Sequence, residues 1–296
     1  MREIVVISGK GGTGKTSVCA SFAHLLENGV ICDLDVDAPD MHIVLEPENE
    51  LREDFMSGNE ARIRSGDCTA CGKCAELCRF GAVRREGGAF RVDAARCEGC
   101  GVCVALCPAG AVDFPEKKSG EWYRGLSRFG PFIHAQLGPG EENSGRLVTL
   151  LKKKAAEYAG ERGLDTILCD GSPGIGCPVI SSLSGASLAV AVVEPTPSGR
   201  HDFMRVAELC DHFRIPVAVI LNKADLNPGE SAALEALCAE KGYALAGRLP
   251  FVPDVTAAMI QRKALTETAS PLAGELKHIW NRVRDLADSP RAPHNL

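Results

Sequence analysis

Ile4-Val5-Val6-Ile7-Ser8-Gly9-Lys10-Gly11-Gly12-Thr13-Gly14-Lys15-Thr16 is the stretch on which the fold turns. Four consecutive apolar, β-branched residues read as a strand covered on both faces. Gly9 to Thr16 then fits G-x-x-x-x-G-K-[ST], the phosphate-binding loop between a strand and a helix. Its glycines let backbone N–H groups converge on phosphate oxygens, and the following helix N-terminus adds its dipole. The cradle runs from Gly9 through Lys10, Gly11, Gly12, Thr13, Gly14, Lys15 and Thr16 to Ser17. Lys15 is placed to reach the β/γ-phosphates and the Thr16 hydroxyl to bind Mg²⁺. Gly9-x-Gly11-x-x-Gly14 also satisfies a dinucleotide fingerprint, with Asp33 and Asp35 near the ribose-binding distance. Lys15-Thr16 decides against it, since a dinucleotide site has no need of that pair.

Outward from the loop, Val18 to Leu26 has helical periodicity and Val30-Ile31-Cys32 begins a second buried strand. Leu147 to Arg162 reads as a helix, Thr166 to Cys169 as a strand, and Val179 to Leu183 as the start of another helix. Strands at Ser187 to Val193 and Pro216 to Leu221 alternate with helices at His201 to Phe213 and Ser231 to Lys241. Such alternation implies an α/β fold with a doubly wound, mostly parallel sheet. The cysteine-rich block interrupts this pattern and is followed by a Gly/Pro-containing stretch from Gly130 to Gly145. The expected domains are therefore a discontinuous nucleotide-binding domain, 1–60 and 116–296, and an inserted small α+β domain, 61–115. Ser289 to Leu296 reads as a frayed polar tail.

The chain has 296 residues and a formal net charge of −6, with 5% aromatic residues. That balance gives no electrostatic reason to expect nucleic acid, and few rings on which bases could stack. No apolar run approaches the roughly 20 residues needed to span a bilayer, so no membrane anchor is expected. The first residues read as a strand rather than a signal peptide, so the fourteen cysteines are expected to lie in a reducing cytoplasm, where metal ligation comes first.

Eight of them form Cys68-x2-Cys71-x2-Cys74-x3-Cys78 and Cys97-x2-Cys100-x2-Cys103-x3-Cys107-Pro108. This is the bacterial two-cluster ferredoxin pattern, in which the fourth cysteine of each run serves the other cluster. Cys68, Cys71, Cys74 and Cys107 are thus expected to hold one [4Fe–4S] cluster, and Cys97, Cys100, Cys103 and Cys78 a second. Arg79 stands where proline is usual. Zinc suits the runs badly, because tetrahedral sites use spaced pairs. Cys19, Cys32, Cys169, Cys210 and Cys238 read as core residues, and Cys177 as packing at a helix start.

Lys10, in Lys-Gly-Gly-x-Gly-Lys-Thr, resembles the deviant Walker A lysine of the MinD/ParA/nitrogenase iron protein superfamily. The resemblance implies that Lys10 crosses a homodimer interface to the partner's ATP, in an ATP sandwich. It further implies that Asp35, in Asp33-Leu34-Asp35-Val36-Asp37, orients the attacking water, with Asp33 or Asp37 assisting. A solvated loop is the competing reading of those acids. Asp170-Gly171-Ser172-Pro173-Gly174 resembles the family's Asp-x-Pro-Pro-Gly switch, in which Asp170 holds Mg²⁺ through water. Asn222-Lys223-Ala224-Asp225 resembles a base-recognition motif in which Asn222 favours adenine, with Asp225 beside it and Pro250 to Asp254 closing over the base. The nitrogenase iron protein has a bridging cysteine spaced like Cys177, but no second cysteine lies upstream between Gly138 and Gly145, so no third cluster is expected.

The whole chain resembles MinD-superfamily P-loop ATPases with an inserted two-cluster ferredoxin domain, including the Glu141 to Gly145 segment. The implied activity is partner-stimulated, Mg²⁺-dependent ATP hydrolysis in a cytoplasmic homodimer that binds ATP and ADP. The favoured task is coupling nucleotide state to electron transfer or docking with a redox partner. The alternatives are an ATP-dependent cluster or metal-cofactor assembly factor and a MinD-like spatial positioning ATPase. Leu272, Leu276, Ile279, Trp280 and Val283 form an apolar stripe whose polar face is not clearly basic, so core docking is expected rather than membrane binding. His134 to Gly145 is a candidate relay between module and switch, with an ordinary surface loop as the competing reading.

Overall fold

A computed structural model describes residues 1–141 and 144–289 of the chain. Glu142 and Asn143 of the Glu141 to Gly145 segment, and 290–296 of the polar tail, lie outside the described residues. The described residues divide into two compact units: those within Met1–Glu53, Trp122–Leu137 and Ser144–Leu296 form the first, and those within Asp54–Glu121 and Gly138–Asn143 the second.

The chain begins with β1 (Arg2–Ser8), α1 (Lys15–Leu25), β2 (Gly29–Asp33), α2 (Met41–Leu45) and β3 (Glu48–Asn59). Next come β4 (Arg62–Ile63), α3 (Lys73–Leu77), β5 (Val83–Glu86), β6 (Ala89–Val92), α4 (Val102–Ala105) and β7 (Val112–Asp113). β8 (Glu116–Ser127), β9 (Gly130–Leu137), α5 (Ser144–Arg162), β10 (Thr166–Pro173), α6 (Cys177–Leu183) and β11 (Leu188–Val193) follow. The last elements are α7 (Pro197–His212), β12 (Val217–Asn222), α8 (Pro228–Lys241), β13 (Ala244–Leu249), α9 (Pro253–Ile260) and α10 (Leu272–Asp288).

The large sheet has the order β13-β12-β11-β1-β10-β2-β9-β8-β3. From β13 to β9 every adjacent pair is parallel. β1 lies between β10 and β11, consecutive strands that leave in opposite directions, so its carboxyl end opens at a topological switch point. Ile4, Val5, Val6 and Ile7 have no exposure, as a strand covered on both faces requires. The stripe of Leu272, Leu276, Ile279, Trp280 and Val283 on α10 is buried in the same core, where Trp280 packs on Phe22 with ring centroids 4.9 Å apart. Each such burial contributes about 1.5–3 kcal/mol. Among the described residues no helix is long and apolar enough to cross a membrane.

Two expectations are corrected. The stretch from Gly130 is not irregular: Phe132 and Ile133 pair with Ile31 and Cys32 as β9, and bury completely. At His134 the surface-loop reading is corrected too. The side chain is buried, with its ring 4.8 Å from Tyr123 and 4.7 Å from Phe132, and Nε2 is 3.1 Å from Asn49 Oδ1. Burial, with His42 nearby, lowers its pKa to about 4. Two helices also start earlier than their apolar periodicity suggests. Thr196 caps α7 by accepting from Gly199 N, and Asn227 caps α8 by accepting from Glu230 N, each followed by proline at the first helical position.

In the second unit, β5 and β6 form a hairpin in which Val83 faces Val92. β4 and β7 pair antiparallel, Arg62 with Asp113 and Ile63 with Val112. Asn59 Nδ2 donates to Phe114 O at 2.9 Å, and Ser119 Oγ to Ser57 O at 2.6 Å.

Candidate functional site

The carboxyl ends of β1, β2, β10, β11 and β12 bring one set of side chains together. Lys15, at the first position of α1, is buried with Nζ 2.8 Å from Asp170 Oδ1 and 3.5 Å from Asp35 Oδ2. Thr16 Oγ1 donates to Asp170 Oδ2 at 2.9 Å. Burial opposes charge on Lys15, but Asp170 and Asp35 outweigh it and raise its pKa. Burial also raises the carboxyl pKa values of Asp170 and Asp35, against the pull of Lys15. Asp33 is buried too: Oδ1 accepts from Asp35 N at 3.0 Å, while Oδ2 has no hydrogen-bond partner. Asp37 is exposed and belongs to the solvated part of the loop.

A Lys15–Thr16–Asp170 triangle places an ammonium, a hydroxyl and a carboxylate where a phosphate and its metal would need them. Asp33 Oδ2 and the equally unpartnered, buried Thr13 Oγ1 leave polar capacity for a ligand at this same end of the sheet. The residues present thus fit Mg²⁺ with a nucleotide.

The loop is braced from β12. Asn222 Nδ2 donates to Thr13 O at 2.7 Å, and Lys223 Nζ to Gly12 O at 3.1 Å. A Cβ on Gly14 would stand 2.3 Å from Asn222 Nδ2, and Gly14 has φ +91°, so only glycine fits this contact. The amide of Asn222 therefore holds the loop. Asp225 Oδ1 accepts from Phe251 N at 2.6 Å, which ties the exposed Pro250–Phe251 turn to the end of β12.

Lys10 Nζ lies 3.1 Å from Glu194 Oε2 and 3.4 Å from Thr196 Oγ1. The other Glu194 oxygen is 3.4 Å from Lys223 Nζ. Sequence reasoning passed over Glu194 and the bracing role of Lys223. The signal was available: Glu194 directly follows an apolar strand, and ligands of open α/β sheets gather at the carboxyl ends of strands. Cys177 starts α6, as expected, but is exposed rather than packed.

In the second unit the two cysteine runs interleave. One cavity is lined by Cys68, Cys71, Cys74 and Cys107. Another is lined by Cys78, Cys97, Cys100 and Cys103. Cys78 Sγ accepts from Ala82 N at 3.3 Å and Cys107 Sγ from Ala111 N at 3.4 Å. All eight thiols are free. Among the described residues no three His, Cys, Asp or Glu side chains gather closely enough to hold a single metal ion. A four-iron cube makes a different demand, one thiolate at each of four irons, and two four-cysteine cavities fit that donor count.

Residues 4–265 match the CobQ/CobB/MinD/ParA nucleotide-binding domain family. The chain is 32% identical to the uncharacterised protein MJ0578 of Methanocaldococcus jannaschii over 287 residues, 96% of this chain and 97% of that protein. Its fold is similar to that of the Pyrococcus furiosus cell division ATPase MinD, with TM-score 0.60, 16% identity, and coverage of 96% of this chain and 99% of the other. It is also similar to the septum site-determining protein MinD of Pyrococcus horikoshii in complex with Mg-ADP, with TM-score 0.59, 16% identity, and 97% of each chain covered. The loop, its buried Lys15–Asp170 pair and the match over most of its length lead to one conclusion: the chain belongs to the CobQ/CobB/MinD/ParA nucleotide-binding family.

Proposed function

We propose that the protein is an ATP-binding and hydrolysing switch whose second unit is a ferredoxin-like module holding two [4Fe–4S] clusters. Nucleotide state then governs electron transfer to, or docking with, a redox partner. The observation that carries the cluster half is the pair of four-cysteine cavities, each taking three cysteines from one run and one from the other. Bound there, the clusters would supply one-electron chemistry. The nucleotide half rests on family membership and on the Lys15–Thr16–Asp170 triangle. In this reading Thr16 and Asp170 hold Mg²⁺, Asp35 orients the attacking water, and Asn222, Asp225 and Pro250 border the adenine. Lys10 reaches the ATP of a second copy in a homodimer.

The similarity to MinD structures favours a second reading, a spatial positioning ATPase. The buried stripe of α10 counts against a membrane-bound form of it, because those side chains already sit in the core. A cofactor assembly factor would need clusters that leave, whereas four cysteines per cavity favour clusters that stay.

Anaerobic reconstitution of the full chain tests the proposal. Two clusters' worth of iron and sulfide and a broad visible absorbance are expected, together with Mg²⁺-dependent ATP hydrolysis. In a Cys107→Ser variant, the EPR signal that changes should be that of the cluster held by Cys68, Cys71 and Cys74. A chain that hydrolyses ATP but binds only zinc or no metal would overturn the cluster half. Clusters without nucleotide binding would overturn the other half.

A further inference from the structure

The second unit repeats its local construction twice. A Cβ on Gly72 would stand 3.6 Å from the ring of Phe90, and one on Gly101 3.5 Å from the ring of Phe114. Each cavity receives one cysteine from the opposite run, and that sulfur accepts one backbone N–H. Charge breaks the repetition. Lys73 lines the cavity of Cys68, whereas Val102 holds the corresponding place in the second run. Glu98 lines the cavity of Cys97, where the first run has Thr69.

Phe90, on the wall of the first cavity, belongs to an arginine-rich hairpin. Arg84 stands directly opposite Arg91, and Arg85 opposite Phe90. Like charges facing each other across a ribbon destabilise it, and here Arg84 and Arg91 are each offset by a single acid of the same hairpin, Asp93 and Glu86. Between 79 and 96 the chain has Arg79, Arg84, Arg85, Arg91 and Arg96 against only Glu86 and Asp93. Asp93 is divided between Arg84 at 3.4 Å and Arg96 at 3.7 Å, and Glu86 lies 3.1 Å from Arg91. The Arg84 and Arg91 side chains remain 56% and 76% exposed. Two acids leave this basic surface uncompensated, in a chain whose formal net charge is −6.

We propose that the β5–β6 hairpin, with Lys73, is the docking surface for an acidic one-electron carrier protein. The cavity of Cys68, Cys71, Cys74 and Cys107 is then the one at which electrons leave or enter. The inference rests on the two-cluster reading above. The reaction it serves is the transfer of one electron: a cluster held by those cysteines is oxidised by one as the carrier's centre is reduced by one, and no bond or proton is exchanged. Charge complementarity chooses the carrier, because a positive patch steers an acidic partner and repels a basic one.

The test uses the reconstituted full chain, reduced anaerobically and mixed in a stopped-flow instrument with ferricyanide, hexaamminecobalt(III) or an acidic flavodoxin. Ionic strength is varied between about 0.01 and 1 M, over which the Debye length falls from about 30 to about 3 Å. The ferricyanide and flavodoxin rates are expected to fall about tenfold with added salt. Arg84→Glu with Arg91→Glu should lower both low-salt rates by a similar factor and leave the hexaamminecobalt rate undiminished. Arg84→Gln with Arg91→Gln should fall between, which guards against a misfolded hairpin. Iron content and visible absorbance of each variant are measured first. Anionic rates that rise with salt, as the net charge alone dictates, or that ignore both variants, would overturn the docking surface. So would salt-sensitive binding of a single-stranded oligonucleotide that the Glu variant abolishes. Failure of the unaltered chain to hold clusters would instead sink the underlying reading, and iron analysis separates the two.

Discussion

Nζ of Lys15 lies 2.8 Å from Oδ1 of Asp170, a carboxylate with no solvent exposure whose other oxygen accepts from Thr16. One ammonium therefore serves a cluster of acids that includes Asp35 and Asp33. Asp170→Asn keeps the shape of the site and removes a charge. ATP hydrolysis should fall by at least about a hundredfold, the scale of losing one preorganised electrostatic contact. Lys15→Ala leaves the buried carboxylates without their cation and should cost about 3–5 kcal/mol in urea denaturation. An Asp170→Asn protein that hydrolyses ATP at the unaltered rate would remove Asp170 from the site.

Glu194 holds Lys10 at 3.1 Å within its own chain, and a lysine that serves a second copy must leave that contact. A partly exposed ion pair contributes about 0.2–1 kcal/mol, so Glu194→Gln should favour ATP-dependent dimerisation by about 1.4-fold to fivefold per protomer. Sedimentation with MgATP in an Asp35→Asn background gives the comparison, and Lys10→Ala should remove the dimer. A weaker dimer in Glu194→Gln would mean that Glu194 positions Lys10 for its role.

Asn222 acts on the loop through Thr13 O at 2.7 Å. Asn222→Ala should weaken nucleotide binding about fivefold or more, the worth of about one hydrogen bond. Because the contact is to the loop, ADP and GDP should lose affinity by similar factors. A loss confined to adenine nucleotides, in competition against a fluorescent ADP, would instead make base reading its main role.

His134 gives stability a pH dependence. Its pKa is lowered to about 4 by burial and by His42, so the unfolded chain binds more protons across the interval from there to the ordinary value. Stability is full above about pH 6.5 and is lost as pH falls towards 4, by about 2 kcal/mol between pH 7 and pH 5. His134→Phe, which keeps the ring between Tyr123 and Phe132, should flatten that part of the curve in urea titrations. An unchanged slope would assign the pH dependence to other groups.

The sequence made the phosphate loop legible because everything it needs is local: an apolar run, fixed glycines, then Lys15-Thr16. The α10 stripe was legible for the same reason, since residues three and four apart share a helix face. β9 was hidden because His134 and Gln136 interrupt its apolar residues, and its burial comes from pairing with β2, far away in sequence. Glu194 was hidden by distance as well: its partners Lys10 and Lys223 lie on other strands' ends, and only the sheet order joins them. The starts of α7 and α8 were readable from Thr196-Pro197 and Asn227-Pro228, capping signals that apolar periodicity alone overlooks.

The most direct test of nucleotide-coupled redox chemistry is the midpoint potential of each cluster, measured anaerobically without nucleotide and with MgATP bound to Asp35→Asn protein. Coupling between two sites is reciprocal, so a nucleotide site that senses the clusters must shift their potentials. The account predicts a shift of at least about 59 mV in one cluster, a tenfold coupling for one electron. Identical potentials, with MgATP binding confirmed in the same sample, would contradict it.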